Sequence, residues 1–356
     1  LANMAALTRT TAAQMPKMTV TDKALLAATD ARLVCVTQRG TACVSQWEKV
    51  LALMETTYAK TDSRLTLALE PLVIAYNIVR DLQRGESVSE KILQIERSRP
   101  RQNDRRLGSA LGDLGSLYNK TNRNSLAEQL QRQAVALAES DPSAKLPLAI
   151  RLSNLGDTLV QLRKYQEAEQ VLRRSVDLTV SIFGSGNANS TFPRRALAEI
   201  LGVTNRQPEA VELNAENIRI LTSALGPNHV RTLYAMHFQG SFLLGNKQPI
   251  EAKEMLVDAL SRARTTLGPT AEDTLNIQTT YVQALLESGD TAGALGEARF
   301  VLSEIRAAAR VSTARIQTNA GNANRYAITI NAASRLREAL SRIALKNSEA
   351  IADVLL

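Results

Sequence analysis

The chain has 356 residues, of which 44% are hydrophobic and 4% aromatic, with 43 Lys and Arg against 35 Asp and Glu and a net charge of +8. No run of 18 apolar residues is present, so no membrane-spanning helix is expected, and Leu1 to Pro16 is too polar for the apolar region of a signal peptide. The basic excess is modest for this length; most of the charge is expected on solvated helix faces, with a slight tilt toward acidic partners.

In chain order, residues 1–20 are rich in Thr, Ala and Met without a clear period, and read as a frayed start or one short helix. Thr21–Gln38 and Thr41–Ala59 read as a helical hairpin with Trp47, Val50, Leu51 and Met54 as its apolar stripe. Cys35 and Cys43 flank its turn and could face each other. A disulfide there would pin the hairpin and imply an oxidising compartment, exported or periplasmic; otherwise both are small core residues and a cytoplasmic site is favoured. Asp62 or Ser63 can cap a helix from Arg64 to Leu82, in which Pro71 is expected to introduce a kink. Gly85 then reads as a turn into Val88–Ile95, a worn capping repeat. Arg97 to Arg106 reads RSRPRQNDRR, a basic loop with no interleaved aromatic residue, which argues against a single-strand nucleic-acid platform.

From here the chain repeats. Small residues twelve positions apart recur as Gly115/Ala127, Gly156/Ala168, Ala198/Ala210 and Gly240/Ala252, with a lapse at Val282/Ala294. The second members step by 41, 42, 42 and 42 residues, the signature of a solenoid. Small side chains let the two helices of a pair approach closely. Apolar residues flank them at helical spacing, as in Leu152, Leu155 and Leu159, or Leu256 and Leu260. The connectors recur as Leu225-Gly226-Pro227 and Leu267-Gly268-Pro269, each followed by a Thr (Thr232, Thr274) that could cap the next helix. The reading is all-α: residues 1–103 form hairpins and a degenerate capping repeat, 104–309 five repeats, and 310–356 an extension with a helix at Ala332–Leu345. The pattern breaks off at Leu356, which leads to the expectation that a further domain follows.

The stretch NLGDTLVQLRKYQEAEQVLRRSVDL, Asn154 to Leu178, resembles a tetratricopeptide repeat. LGPNHVRTL, Leu225 to Leu233, together with the 42-residue period, is similar to the kinesin-light-chain type of that repeat, which is common in bacterial multidomain proteins. The resemblance implies a right-handed α-solenoid of antiparallel helix pairs whose first helices line a concave, peptide-binding wall. On that wall would lie Asn119 and Lys120, then Asn154, Asp157 and Gln161, then Arg195, then Tyr234, His237 and Phe238, and finally Gln283. In the family an Asn two residues before the first small residue binds the backbone of an extended peptide. Asn154 matches; Asp113, Ala196, Phe238 and Thr280 depart from it.

Catalytic patterns are missing from the sequence. His229 and His237 are the two histidines, and neither has a Cys in plausible relation. No HExxH, GxxxxGK[ST] or GxSxG motif occurs. The expectation is a non-enzymatic scaffold, without cofactor or metal, that binds a protein or peptide, acidic by preference. The alternative is a regulatory or sensor segment of a larger bacterial signalling enzyme, for example one with a caspase-like protease domain, whose catalytic part lies outside this chain.

Overall fold

The computed structural model describes residues 19–37, 40–99, 104–269 and 271–313. Among these are fourteen α-helices and no strand, in two compact units divided between Arg163 and Lys164. The first unit holds α1 (Val20–Thr37), α2 (Thr41–Glu55), α3 (Thr66–Ile78), α4 (Leu82–Arg97), α5 (Asp104–Lys120), α6 (Asn124–Glu139) and α7 (Lys145–Gln161). The second holds α8 (Tyr165–Phe183), α9 (Thr191–Val203), α10 (Gln207–Leu225), α11 (Val230–Gly245), α12 (Pro249–Thr266), α13 (Glu272–Glu287) and α14 (Thr291–Thr313). The arrangement is an all-α solenoid of antiparallel helix pairs. The expectations for residues 1–18 and 314–356, including the helix at Ala332–Leu345, lie outside the described residues.

From α3 onward one residue of positive φ sits in each turn between first and second helix. Arg80, Asn122, Arg163, Asn205, Lys247 and Gly289 all have φ between 57° and 86°, and they follow one another at steps of 42, 41, 42, 42 and 42 residues. In five of these turns the amide after the turn residue reaches back to a carbonyl five positions earlier: Asp81 to Tyr76, Arg123 to Tyr118, Arg206 to Leu201, Gln248 to Leu243 and Asp290 to Leu285, at 2.8–2.9 Å. This is the bond of a Schellman helix end. A left-handed conformation costs a side-chain-bearing residue about 1–2 kcal/mol, least for Asn, so at Arg80 and Lys247 the packing of the pair imposes it.

This register corrects one reading. Arg80 puts α3 and α4 in step with the later pairs. Gly85 is not the turn; it lies inside α4, one repeat before Ala127. Pro71 lies within α3, which runs on through it to Ile78. A short 3-10 turn at Ser63–Leu65 precedes α3, and Asp62 Oδ1 caps it by accepting from Arg64 N at 2.9 Å.

The connectors also differ in detail from the reading. Gly184 and Gly226 cap α8 and α10 with positive φ, and Gly268 follows α12 in the same conformation. The threonine does not cap the next helix. Thr232 is buried in the first turns of α11, and its hydroxyl donates back to Gly226 O at 2.9 Å. The cap is His229, whose Nδ1 accepts from Arg231 N at 3.2 Å; Asn187 does the same before α9 by accepting from Asn189 N at 2.9 Å.

Ala127, Ala168, Ala198, Ala210, Ala252 and Ala294 are fully buried. The tight contact, however, is made one turn further on. A Cβ on Gly240 would meet Leu256 Cγ at 2.5 Å, and one on Gly115 would meet Gln131 Nε2 at 2.8 Å. Leu256 and Gln131 each stand four residues after the alanine, so the glycine makes room for a large buried neighbour. Between repeats, ion pairs recur at equivalent positions: Glu86 with Arg123, Glu169 with Arg206 at 2.8 Å, and Lys253 with Asp290 at 3.2 Å. Exposed pairs of this kind contribute roughly 0–1 kcal/mol each. The hydrophobic core, with Trp47, Leu69 and Ile95 in the first unit and Leu233, Leu256 and Leu260 in the second, supplies most of the stability.

Two substitutions separate crowding from helix propensity. Gly240→Ala should destabilise the chain by about 1–2 kcal/mol, because overpacking against Leu256 exceeds the gain of about 1 kcal/mol in helix propensity. Gly296→Ala, where an added Cβ meets nothing within 4 Å, should stabilise it by about 0.4–1 kcal/mol. Urea denaturation of both variants checks the opposite signs.

Cys35, near the end of α1, and Cys43, in the first turn of α2, are joined as a disulfide with Cα atoms 4.7 Å apart. Closing so short a loop stabilises by about 2–3 kcal/mol on the chain-entropy account. Reduction by dithiothreitol should lower the unfolding free energy by that amount, read from denaturation curves with and without reductant. Identical curves would show that the bond does not hold the hairpin.

Candidate binding face and pocket

The sequence-predicted site residues fall into two sets, one in each unit. In the first unit, Asn119 and Lys120 end α5, and both are committed to neighbours. Asn119 Nδ2 donates to Thr158 Oγ1 of α7 at 2.7 Å, and its Oδ1 is buried without a hydrogen-bond partner. Lys120 Nζ donates to Asn77 Oδ1 at 3.0 Å; burial, with the nearby charge of Arg80, holds its ammonium below the usual lysine range. Asn154 and Asp157 are half-buried on α7, and Gln161 is exposed at its end. Asn119 is therefore a strut between first helices more than a free ligand arm, whereas Asn154 and Gln161 present side chains to solvent.

In the second unit the structure brings four predicted residues together. Tyr234 and Phe238, one turn apart on α11, pack edge to face with centroids 4.8 Å apart. The Arg195 guanidinium of α9 lies 5.9 Å from the Phe238 ring and pairs with Glu199. His237 sits beside them, 5.6 Å from Phe238, with Nε2 2.8 Å from Thr280 Oγ1 on α13. Gln283 lies further along α13, where its amide donates to Glu287 Oε1 at 2.9 Å; no described ring contact or hydrogen bond joins it to the others. Tyr234 is 36% exposed, so the cluster offers an aromatic edge and a cation at one surface.

Beside this cluster is a cavity of about 320 Å³ between α9, α10 and α11, lined in part by Phe192, Arg195, Asn214, Asn217, Arg231 and Tyr234. Its polar side chains include two fully buried amides, Asn214 and Asn217. Asn214 Nδ2 donates to Ala235 O at 2.9 Å and Gln239 Oε1 at 2.8 Å, which ties α10 to α11. Arg231 stacks on Phe192, 3.9 Å from ring centroid to guanidinium, and burial pulls its pKa down. The reading of the first helices found Arg195 and Tyr234 but missed Asn214, Asn217 and Arg231. The signal was present: seven residues after the conserved-in-register alanines stand Ala134, Ser175, Ala259 and Val301, and Asn217 is the one amide in that column.

Two described arginines of the basic stretch are held by acidic neighbours. Arg99 pairs with the buried Glu96 at 2.9 Å, and Arg105 pairs with Asp141 at 3.0 Å. Among the described residues, no group of three or more His, Cys, Asp and Glu side chains is placed to hold a metal ion, and no helix is long and apolar enough to cross a membrane.

The family model for the tetratricopeptide repeat matches residues 107–140 and 148–189. Among solved structures, the chain is similar to the nearly identical TPR-like repeats of a kinesin light chain from Podosopora anserina, at 22% identity over 60% of this chain and 99% of that one, with a TM-score of 0.52. It is also similar to the apo quorum sensor NprR from B. thuringiensis, at 15% identity over 81% and 77% of the two chains, with a TM-score of 0.64. A Rap protein complexed with Competence and Sporulation Factor gives 11% identity over 94% and 96%, with a TM-score of 0.57. No curated protein matches the chain by sequence. At these identities the likenesses establish the fold.

Proposed function

We propose that this tetratricopeptide-repeat protein, with repeats of the kinesin-light-chain type, is a non-catalytic scaffold that binds a peptide or protein segment along its first helices. The observation that carries this reading is the Arg195, Tyr234 and Phe238 cluster of the second unit. Partly exposed aromatic side chains beside a cation are the residue types that dominate interface energetics. The first unit, taken by itself, offers the amides of Asn154 and Gln161, which are able to satisfy an extended backbone. The net charge of +8 favours an acidic segment. The fold neighbours are compatible with it, since one is a quorum sensor and another was solved with the Competence and Sporulation Factor. The Cys35–Cys43 disulfide supports an exported or periplasmic setting, because such bonds persist where the surroundings are oxidising.

The test is a displayed peptide library selected on the immobilised full chain, with the enriched peptides then measured by calorimetry. Acidic peptides that carry an aromatic or aliphatic anchor should be enriched. Phe238→Ala together with Arg195→Glu should weaken them by about 2 kcal/mol or more, roughly thirtyfold, without lowering Tm. Peptides that bind the double variant as tightly as the parent chain, or a selection that enriches nothing, would remove the face from consideration.

A further inference from the structure

Asn217 lies in α10 with 1% of its surface exposed, and neither its Nδ2 nor its Oδ1 has a hydrogen-bond partner within the protein. Buried amides are almost always paired, because leaving one unpaired forfeits its solvation for nothing. The equivalent residues of other repeats are Ala134, Ser175, Ala259 and Val301, so the fold does not require an amide there. Asn217 instead lines the cavity between α9, α10 and α11, where Asn214 Oδ1 is also buried without a partner.

A second observation comes from Arg231, on the same cavity. Its Nη2 donates to Ala188 O at 2.7 Å and to Thr191 Oγ1 at 3.0 Å, which holds the guanidinium over the Phe192 ring. Among the described residues no carboxylate pairs with it, although most other arginines of known partner pair with Asp or Glu. A half-buried, oriented cation without a counter-ion is suited to an anion. The wall has an apolar part, Phe192, Leu221, Val230 and Tyr234, and a polar part to which Thr191, Arg195, Asn214 and Asp273 also belong. At about 320 Å³ the space is at the small end for ligand pockets and suits one residue-sized group.

We propose that this cavity binds the α-carboxylate end of an apolar amino acid. Arg231 takes the carboxylate, Asn217 Nδ2 donates to it, and Asn217 Oδ1 accepts the neighbouring N–H. The ligand's apolar side chain lies against Phe192 and Leu221. The same chemistry is offered by a free amino acid, whose ammonium Asp273 would attract, and by the last residue of a peptide. The cavity shares Arg195 and Tyr234 with the partner face argued above, but Asn217 and Arg231 lie outside that face, so variants of these two residues let the two readings fail separately.

Calorimetry on the full chain with L-leucine, N-acetyl-L-leucine and N-acetyl-L-leucinamide at millimolar concentration tests it. At least one of the two acids should bind and the amide should not. Binding by leucine alone assigns the site to a free amino acid, and binding by the acetyl derivative assigns it to a chain terminus. Asn217→Ala should weaken the acid about tenfold or more while raising the Tm of the unliganded chain by about 2–4 °C, since it removes a buried unpaired amide and restores the residue of two other repeats. Arg231→Lys, which keeps the charge but loses the planar fork, should weaken binding as well. The proposal is overturned if neither acid binds, if the amide binds as well as the acids, or if Asn217→Ala binds the acid unchanged.

Discussion

The helix pairs from α3 onward depend on a left-handed residue at the turn. With φ positive at Arg80, Asn122, Asn205, Lys247 and Gly289, the chain reverses within three residues and the first helix ends in a five-back hydrogen bond. A turn that short leaves the second helix little freedom in where it begins. Ala127, Ala168, Ala210, Ala252 and Ala294 each follow their turn residue by five positions, and all are fully buried. The step of 41 or 42 residues is thus a consequence of repeating one backbone closure, with the side chains chosen to suit it.

Once the backbone repeats, a side chain can be judged against its equivalents in the other pairs. Four residues after the alanine the column reads Gln131, Leu172, Asn214 and Leu256. Leu172 and Leu256 fill the crossing as apolar plugs. Gln131 fills it too but donates to Gly112 O at 2.9 Å within its own pair, and Asn214 donates forward to Ala235 O of the next helix. Both amides are tied down by backbone carbonyls, so at this column the polar replacement is structural. Three residues further on, Asn217 has no such carbonyl to bind. The difference between a structural amide and a recognition amide is therefore visible as the presence or absence of a partner at equivalent places in one molecule.

The repeat and its period were legible from the sequence because Ala and Leu spacing is set locally by the helix. The turn residues were not: Arg80 and Lys247 have no intrinsic preference for positive φ, and only the packing of the pair puts them there. That is why Gly85, which looks like a turn residue, misled the reading of the first repeat. The candidate site was legible in part. Tyr234 and Phe238 are one turn apart, which the helix period reveals, and they do stack. The bond of Asn119 to Thr158 was not legible, because Thr158 is 39 positions away, a contact that no local pattern reports. Thr232 was misjudged for a subtler reason: a hydroxyl can donate or accept, and spacing alone does not say which it does.

The charge balance sharpens once partners are known. A net charge of +8 read as a slight tilt toward acidic partners, and five arginines stand in the stretch 97–106. Arg99 and Arg105 are instead held by Glu96 and Asp141, and Arg123 and Arg206 are held across repeats by Glu86 and Glu169. An arginine already paired gains little from a second anion, since the first has met most of its donors and much of its charge. What matters for recognition is then the geometry of a single cation more than the density of cations. Arg231 is pinned by two neutral oxygens and a ring, so its orientation is set without its charge being spent. Burial that lowers its pKa also raises the strength of any carboxylate contact it makes, because the competing water has already been removed.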